Sequence, residues 1–92
     1  MIVSFADDAT ERLAHGSRVT QFAGVEALAR RTLRQLQSAA NLNDLRVPPG
    51  NRLEARKGDR RDHDSVRIND QYRLCFRWTA AGAEDVEIVD YH

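Results

Sequence analysis

Two groups of residues in this chain of 92 residues carry side chains suited to chemistry at a phosphate. The first is a set of arginines in the second half of the chain, in which Arg67 and Arg73 flank a short polar turn. The second is the closing run Asp90-Tyr91-His92, which carries a phenol and an imidazole. Guanidinium groups bind phosphate oxygens through paired N–H groups, and an imidazole with an ordinary pKa of about 6.5 exchanges protons at neutral pH.

Arginines beside a proton-transferring group are what cleavage of RNA without a metal requires. A base removes the proton of the ribose 2′-OH, cations stabilise charge on the phosphate oxygens, and an acid protonates the 5′-oxygen that leaves. The product is a 2′,3′-cyclic phosphate, and DNA would resist because it lacks the hydroxyl. The sequence has no cluster of acids for two-metal chemistry, no Gly-rich phosphate loop and no His pair at metal-ligand spacing. We therefore expect no metal and no cofactor.

Periodicity divides the chain into a helical half and a strand half. Apolar residues that recur at intervals of three and four predict helices over 9–15, closed by Gly16, and over 24–40. Prolines force a turn at 48–50. Alternating patterns beyond it, together with a β-prone run near the start, predict strands over 2–5, 51–56, 64–68, 72–78 and 84–90.

The later strands are too close in sequence for crossover helices, so they should pair as antiparallel hairpins. This predicts an α+β fold in which an N-terminal strand and two helices pack on one face of a twisted, mainly antiparallel sheet. A chain of this length builds one core, so we expect a single domain over 1–92.

Alternation along the strands assigns each side chain to one of two faces. The core face should carry Leu53, Ala55, Val66, Ile68, Tyr72, Leu74, Phe76, Trp78, Val86 and Ile88. The other face, here called the arginine face, should carry Arg52, Glu54, Arg56, Arg67, Arg73, Cys75, Arg77, Glu87, Val89 and Tyr91.

The turn at 69–71 has an odd number of residues, which places Arg67 directly opposite Arg73. Like charges in that position cost up to about 1 kcal/mol, so something should offset the repulsion. One reading is a bound phosphate. The other is a solvated network in which Glu54, Asp64 or Glu87 satisfies both guanidiniums, and the sequence leaves the two readings open.

Composition fits a small protein of a reducing compartment. The net charge is zero, yet residues 46–77 hold nine bases and five acids, a local charge of +4 (9 − 5), and 13 of the 14 bases are Arg. A GC-rich genome would also enrich Arg, so this bias alone does not identify a partner. The lone Cys75 excludes a disulfide framework, and no apolar run approaches a membrane span. We expect a cytoplasmic protein that does not enter a membrane.

Three segments carry a family resemblance: Lys57-Gly58-Asp59-Arg60, the run Ser65-Val66-Arg67-Ile68-Asn69-Asp70-Gln71-Tyr72-Arg73-Leu74-Cys75-Phe76, and the closing Val86-Glu87-Ile88-Val89-Asp90-Tyr91-His92. The chain resembles the HigB-type toxins of the RelE and ParE superfamily. The resemblance implies a RelE-like fold and a metal-independent mRNA endonuclease that cuts message in the ribosomal A site and so arrests translation and growth. It also implies a HigA-type helix-turn-helix antitoxin as partner, with operator DNA bound only through that antitoxin.

The resemblance further implies roles for individual residues. Arg67 and Arg73 match a phosphate-stabilising pair, Tyr91 and His92 match terminal catalytic residues, and Asp90 matches their support. Basic residues of the second half of the chain are expected to contact RNA, namely Arg56, Lys57, Arg60, Arg61 and Arg77. Relatives carry a His on the strand before the Lys-Gly turn, where this chain has Glu54, which could be the base or could orient an arginine. The segment 61–64 also lacks a Trp found in some relatives.

Other readings stay open at this stage. ParE-like relatives share the fold yet inhibit DNA gyrase, and a decayed copy could persist only as an antitoxin-binding module. Among the remaining histidines, His15 is expected to favour the dipole of the first helix, and His63 is expected to have a loop or strand-edge role.

Overall fold

A computed structural model describes residues 1–55 and 62–90 of the chain. Within that part the elements are α1 (Asp8–Ala14), α2 (Glu26–Ser38), β1 (Glu54–Ala55), β2 (Asp64–Arg67), β3 (Tyr72–Thr79) and β4 (Gly82–Asp90), with short 3₁₀ helices at Thr20–Phe22, Leu42–Arg46 and Pro49–Asn51. The four strands form one antiparallel sheet in the order β1-β2-β3-β4. The predicted α+β class is confirmed. No helix in the described ranges is long and apolar enough to cross a membrane.

Both predicted helices form with slightly shorter bounds. Gly16 follows α1 with a φ of +96°, as its place after the helix predicted. On α2 the buried side chains are Ala29, Thr32, Leu33 and Leu36. Leu28 is 41% exposed because it lies at the edge of this buried stripe.

The buried core lies between the helices and one face of the sheet. Its strand residues are Val66, Ile68, Leu74, Phe76, Ala83, Val86 and Ile88, all 6% exposed or less. Tyr72 and Trp78 are half-buried and pack against this core, as predicted. One polar bond crosses between the layers, since the backbone N–H of Ile88 donates to the buried Thr10 hydroxyl at 3.0 Å.

The predicted strand at 51–56 is much shorter. The 3₁₀ helix Pro49–Asn51 and the left-handed conformation of Arg52, with φ of 47°, break the extended backbone, so β1 is only Glu54–Ala55. Ala55 lies in register with Asp64 and Phe76 on the predicted side of the sheet, but it is exposed rather than part of the core, which corrects its predicted burial. This short β1 still pairs Glu54 with Ser65.

The N-terminal segment is a pair of isolated bridges instead of the predicted strand at 2–5. Ile2 and Phe5 bridge Ala83 and Val86 of β4 in parallel, with the Val3 N–H donating to the Ala83 carbonyl at 2.7 Å. The two bridges are separated where β4 is irregular, at a register shift between β3 and β4. There Asp85 adopts a φ of 54°, and its N–H donates to the Ser4 hydroxyl at 2.9 Å. The segment still covers the outer edge of β4.

Candidate active site

The register prediction for the arginine pair is confirmed. Arg67 at the end of β2 lies directly opposite Arg73 near the start of β3, and Val89 of β4 completes the row. These residues occupy the sheet face away from the core, since their neighbours Val66, Leu74 and Ile88 form the adjacent row and are buried under the helices. Two cationic side chains thus start from adjacent positions on the arginine face.

Arg73 is buried to 7% exposure, which the sequence did not predict. Its Nε donates to the Ser65 hydroxyl at 2.9 Å, and its Nη2 donates to the carbonyl oxygens of Arg52 at 2.6 Å and of Ser65 at 3.2 Å. The guanidinium therefore crosses β2 toward the segment that precedes β1. A guanidinium held by three acceptors has a fixed orientation before any ligand arrives.

Arg67 extends toward the turn and forms an ion pair with Asp70, a carboxylate that sequence reasoning overlooked although its i,i+3 spacing makes it a natural partner. The Arg67 side chain is 35% exposed and Asp70 is fully exposed. The Asn69 side chain fixes the turn by accepting from the N–H groups of Gln71 and Tyr72 at 2.9 and 2.8 Å. The repulsion between the two arginines is thus offset by separate partners within the protein.

Arg77, a predicted RNA contact, lies further along β3. Its Nη2 pairs with Glu84 at 2.7 Å and approaches Asp85 at 3.7 Å, and Thr79 donates to the same Glu84 carboxylate at 2.9 Å. Nearby acids therefore reduce the net charge at this end of the face.

One row of the arginine face lies between Arg73 and Arg77 of β3. It contains Glu54, Ser65, Cys75 and Glu87, in register across all four strands. Glu54 is exposed, whereas Ser65 and Cys75 are buried. Cys75 lies on the predicted face of the sheet and is fully buried there.

Asp90 of β4 lies opposite Tyr72 of β3. Because side chains alternate along a strand, Asp90 belongs to the face opposite the one that carries Arg73 and Val89. Its carboxylate accepts from the Gln71 amide at 3.2 Å, so it is tied to the β2–β3 turn. The other predicted site residues, namely Arg56, Lys57, Arg60, Arg61, Tyr91 and His92, lie outside the described residues.

A second acid–base pair precedes β2. The His63 Nδ1 lies 2.9 Å from an Asp62 carboxylate oxygen, and this hydrogen bond lowers the pKa of Asp62. Burial raises the pKa of the adjacent Asp64, although His63 and Arg46 oppose that effect. Sequence reasoning gave His63 a loop role, and the neighbouring Asp62 was the signal available for finding the pair.

Other polar features lie away from this face. His15 ends α1 as its C-cap residue and packs edge-on against Phe5 at 6.1 Å between ring centroids. It lines a cavity of about 430 Å³ with Arg30, Leu33 and others on the helical side. Within residues 1–55 and 62–90, no three His, Cys, Asp or Glu side chains cluster in a way that could hold a metal ion.

The protein is a small α+β domain with an arginine pair on the sheet face away from the core, and comparison with known proteins identifies its family. The family model described as "RelE-like toxin of type II toxin-antitoxin system HigB" matches residues 3–92. The chain is 39% identical over 74 residues to Toxin HigB-1 of Vibrio cholerae serotype O1, covering 80% of this chain and 70% of that protein. It is 40% identical over 48 residues to an uncharacterized protein of Haemophilus influenzae, covering 52% and 48% of the two chains. The chain belongs to the HigB-like toxins, which are partnered by an antitoxin.

Proposed function

We propose that this toxin is a metal-independent endoribonuclease that cuts mRNA held in the ribosomal A site and thereby stops translation. The observation that carries the proposal is the placement of Arg67 and Arg73 opposite each other on the sheet face that the helices leave uncovered. Membership of the HigB-like family supports it, because toxins of this kind are generally endoribonucleases.

The two arginines would act differently. Arg73 is held by Ser65 and the Arg52 carbonyl, so its charge stabilises the developing phosphorane without reorganisation. Within residues 1–55 and 62–90, Arg67 is held only by the exposed Asp70 carboxylate, and exposed ion pairs of this kind are weak. A phosphate can therefore replace Asp70 as its partner. Message bound by Arg67 would then lie on the arginine face, which also carries Arg73.

The remaining predicted residues complete the proposal. The family resemblance assigns Tyr91 and His92 to proton transfer and Asp90 to their support. Glu54 lies on the same face in register with Ser65, where it could act as base or orient an arginine. The basic residues Arg56, Lys57, Arg60 and Arg61, together with Arg77, would contact the RNA backbone. A HigA-type antitoxin would neutralise the toxin in the cytoplasm and link it to operator DNA.

The test is translation-coupled cleavage mapped on mRNA. Arg67→Ala should slow cleavage by on the order of 100-fold, since it removes a charge that stabilises the transition state. Arg31→Ala is the matched control, because it removes an exposed arginine from α2 on the helical side. Deletion of Tyr91 and His92 should also abolish cutting.

The same variants separate the alternatives. Intact mRNA together with inhibited supercoiling by DNA gyrase would replace the nuclease with a ParE-like activity. Equal cutting by the wild type, Arg67→Ala and the terminal deletion would remove the proposed chemistry. If expression of the protein does not arrest growth, the remaining alternative is a decayed copy that only binds the antitoxin.

A further inference from the structure

His63 belongs by position to the arginine face. Ser65 and Arg67 are on that face, in register with Cys75 and Arg73. Side chains of a strand alternate, and His63 directly precedes β2, two residues before Ser65. Its side chain is 18% exposed, so the imidazole is packed against the protein yet can be reached from solvent.

Asp62 fixes the proton on one imidazole nitrogen. The hydrogen bond from His63 lowers the pKa of Asp62, which is therefore a carboxylate at neutral pH. A carboxylate only accepts hydrogen bonds, so the Nδ1 at 2.9 Å carries the proton. In the neutral ring Nε2 is then left with its lone pair. A carboxylate behind Nδ1 also stabilises the imidazolium that forms when Nε2 takes up a proton.

The Arg73 guanidinium reaches β2 at Ser65, two residues after His63. Arg73 donates to the hydroxyl and the carbonyl of Ser65, and His63 is the preceding side chain on that face. Glu54 flanks Ser65 from β1, diagonal to His63, and diagonal neighbours in an antiparallel pair lie about 7–8 Å apart. A phosphate at the guanidinium would bring the adjacent ribose within reach of the imidazole.

We propose that His63 is the general base of this RNA cleavage and that Asp62 is its positioning residue. The inference rests on the proposed nuclease function. Nε2 of His63 takes the proton of the ribose 2′-OH while the 2′-oxygen bonds to phosphorus. The bond from phosphorus to the 5′-oxygen breaks, and that oxygen keeps the electron pair and takes a proton from an acid or from water. The products are a 2′,3′-cyclic phosphate and a 5′-hydroxyl.

Charged groups of both signs surround this segment. Asp62 and Asp64 flank His63 in the chain. Arg77 from β3 acts electrostatically on Asp62, and Arg46 from the 3₁₀ helix Leu42–Arg46 acts on Asp64.

The test is single-turnover cleavage on mRNA-programmed ribosomes between about pH 5 and 8, the range in which an imidazole changes charge. The wild-type rate should rise through this range as the base form appears. His63→Gln should cut on the order of 100-fold to 10,000-fold more slowly and lose that rise, because general base catalysis contributes about this much. Asp62→Asn should reduce the rate less and move the pH profile. Glu11→Gln, which neutralises an exposed carboxylate of α1 on the helical side, is the control and should keep both the rate and the profile.

A substrate with sulfur in place of the 5′-oxygen distinguishes base from acid, since a thiolate leaves without protonation. His63→Gln should remain slow on it, and recovery to the wild-type rate would overturn the assignment as base. Equal urea midpoints for wild type and His63→Gln exclude a folding defect.

Arg67→Ala monitors the proposed function itself. If the wild type cuts, Arg67→Ala is slow and His63→Gln matches the wild type, the inference about His63 fails while the nuclease stands. If the wild type does not cut ribosome-bound mRNA, both fail.

Discussion

The Nε of Arg73 donates to the hydroxyl of Ser65 at 2.9 Å, and both side chains are buried on the sheet face opposite the helices. A buried guanidinium needs acceptors because desolvating a charge without partners is costly. Ser65 supplies two acceptors, its hydroxyl and its carbonyl, and the Arg52 carbonyl supplies a third. This arrangement ties together β2, β3 and the segment before β1.

Replacing Ser65 with Ala should therefore destabilise the fold. It leaves the Nε–H of Arg73 without the hydroxyl acceptor in a buried site, and losing such a partner costs about 1–3 kcal/mol. Urea unfolding measures the change. Ser17→Ala, at an exposed loop serine, is the control and should stay within about 0.5 kcal/mol. An equal effect of the two variants would show that the hydroxyl contributes nothing to holding Arg73.

Replacing Asp70 with Asn should strengthen binding to the ribosome. The change releases Arg67 from its exposed ion pair and adds a positive charge to the face that would meet RNA. Because neutralised phosphates release counterions, the salt dependence of binding should become steeper. Asp8→Asn makes the same charge change on α1, remote from this face, and should have a smaller effect. Identical gains in the two variants would mean that net charge alone governs binding.

Sequence reasoning located the site residues along the strands but not their partners. The odd-numbered turn and the alternation were sufficient to place Arg67 opposite Arg73, since both follow from strand geometry. The carbonyl oxygen of Arg52, which accepts from Arg73, belongs to a non-glycine residue in the left-handed conformation, and no local sequence pattern predicted that conformation. No local pattern predicted the register shift at Asp85, another non-glycine residue with positive φ.

Exposure was harder to predict than face. Alternation put Arg73 and Cys75 on the polar side of the sheet, and a polar face in a small protein is normally solvated. Arg73 is buried where its guanidinium bonds the small side chain of Ser65, and Cys75, which pairs with Ser65, is buried in the same row. Burial of a polar-face residue depends on tertiary contacts, and the alternation of side chains along a strand does not predict it.

Asp64→Asn should stabilise the protein near neutral pH. Burial raises the pKa of Asp64, so the folded state favours its protonated form. That stability is present below the ordinary Asp pKa of about 3.9 and is lost as the pH rises through the raised folded value. Asn does not ionise and avoids the loss. Urea unfolding of both proteins near pH 7 and near pH 3 should give the variant a larger free energy of unfolding than the wild type only at the higher pH. A variant that is less stable than the wild type near pH 7 would mean that the attraction of Arg46 and His63 for the Asp64 carboxylate outweighs the effect of burial.

Gly82→Ala should loosen the N-terminal segment from the sheet. Gly82 begins β4 with a φ of +129°, and a Cβ there would collide with the backbone carbonyl of Met1, which accepts a hydrogen bond from Ala83 at 2.8 Å. Strain and collision together should cost about 2 kcal/mol or more. Gly24→Ala is the matched control, since its φ is +88° but a Cβ there meets nothing within 4 Å, so only the conformational cost of about 1 kcal/mol applies. Hydrogen exchange at the Ala83 and Val86 amides, which donate to the N-terminal segment, should accelerate in Gly82→Ala alone. Equal losses of stability with unchanged exchange would mean that Met1 moves aside without cost and that the segment does not depend on the absence of a side chain at residue 82.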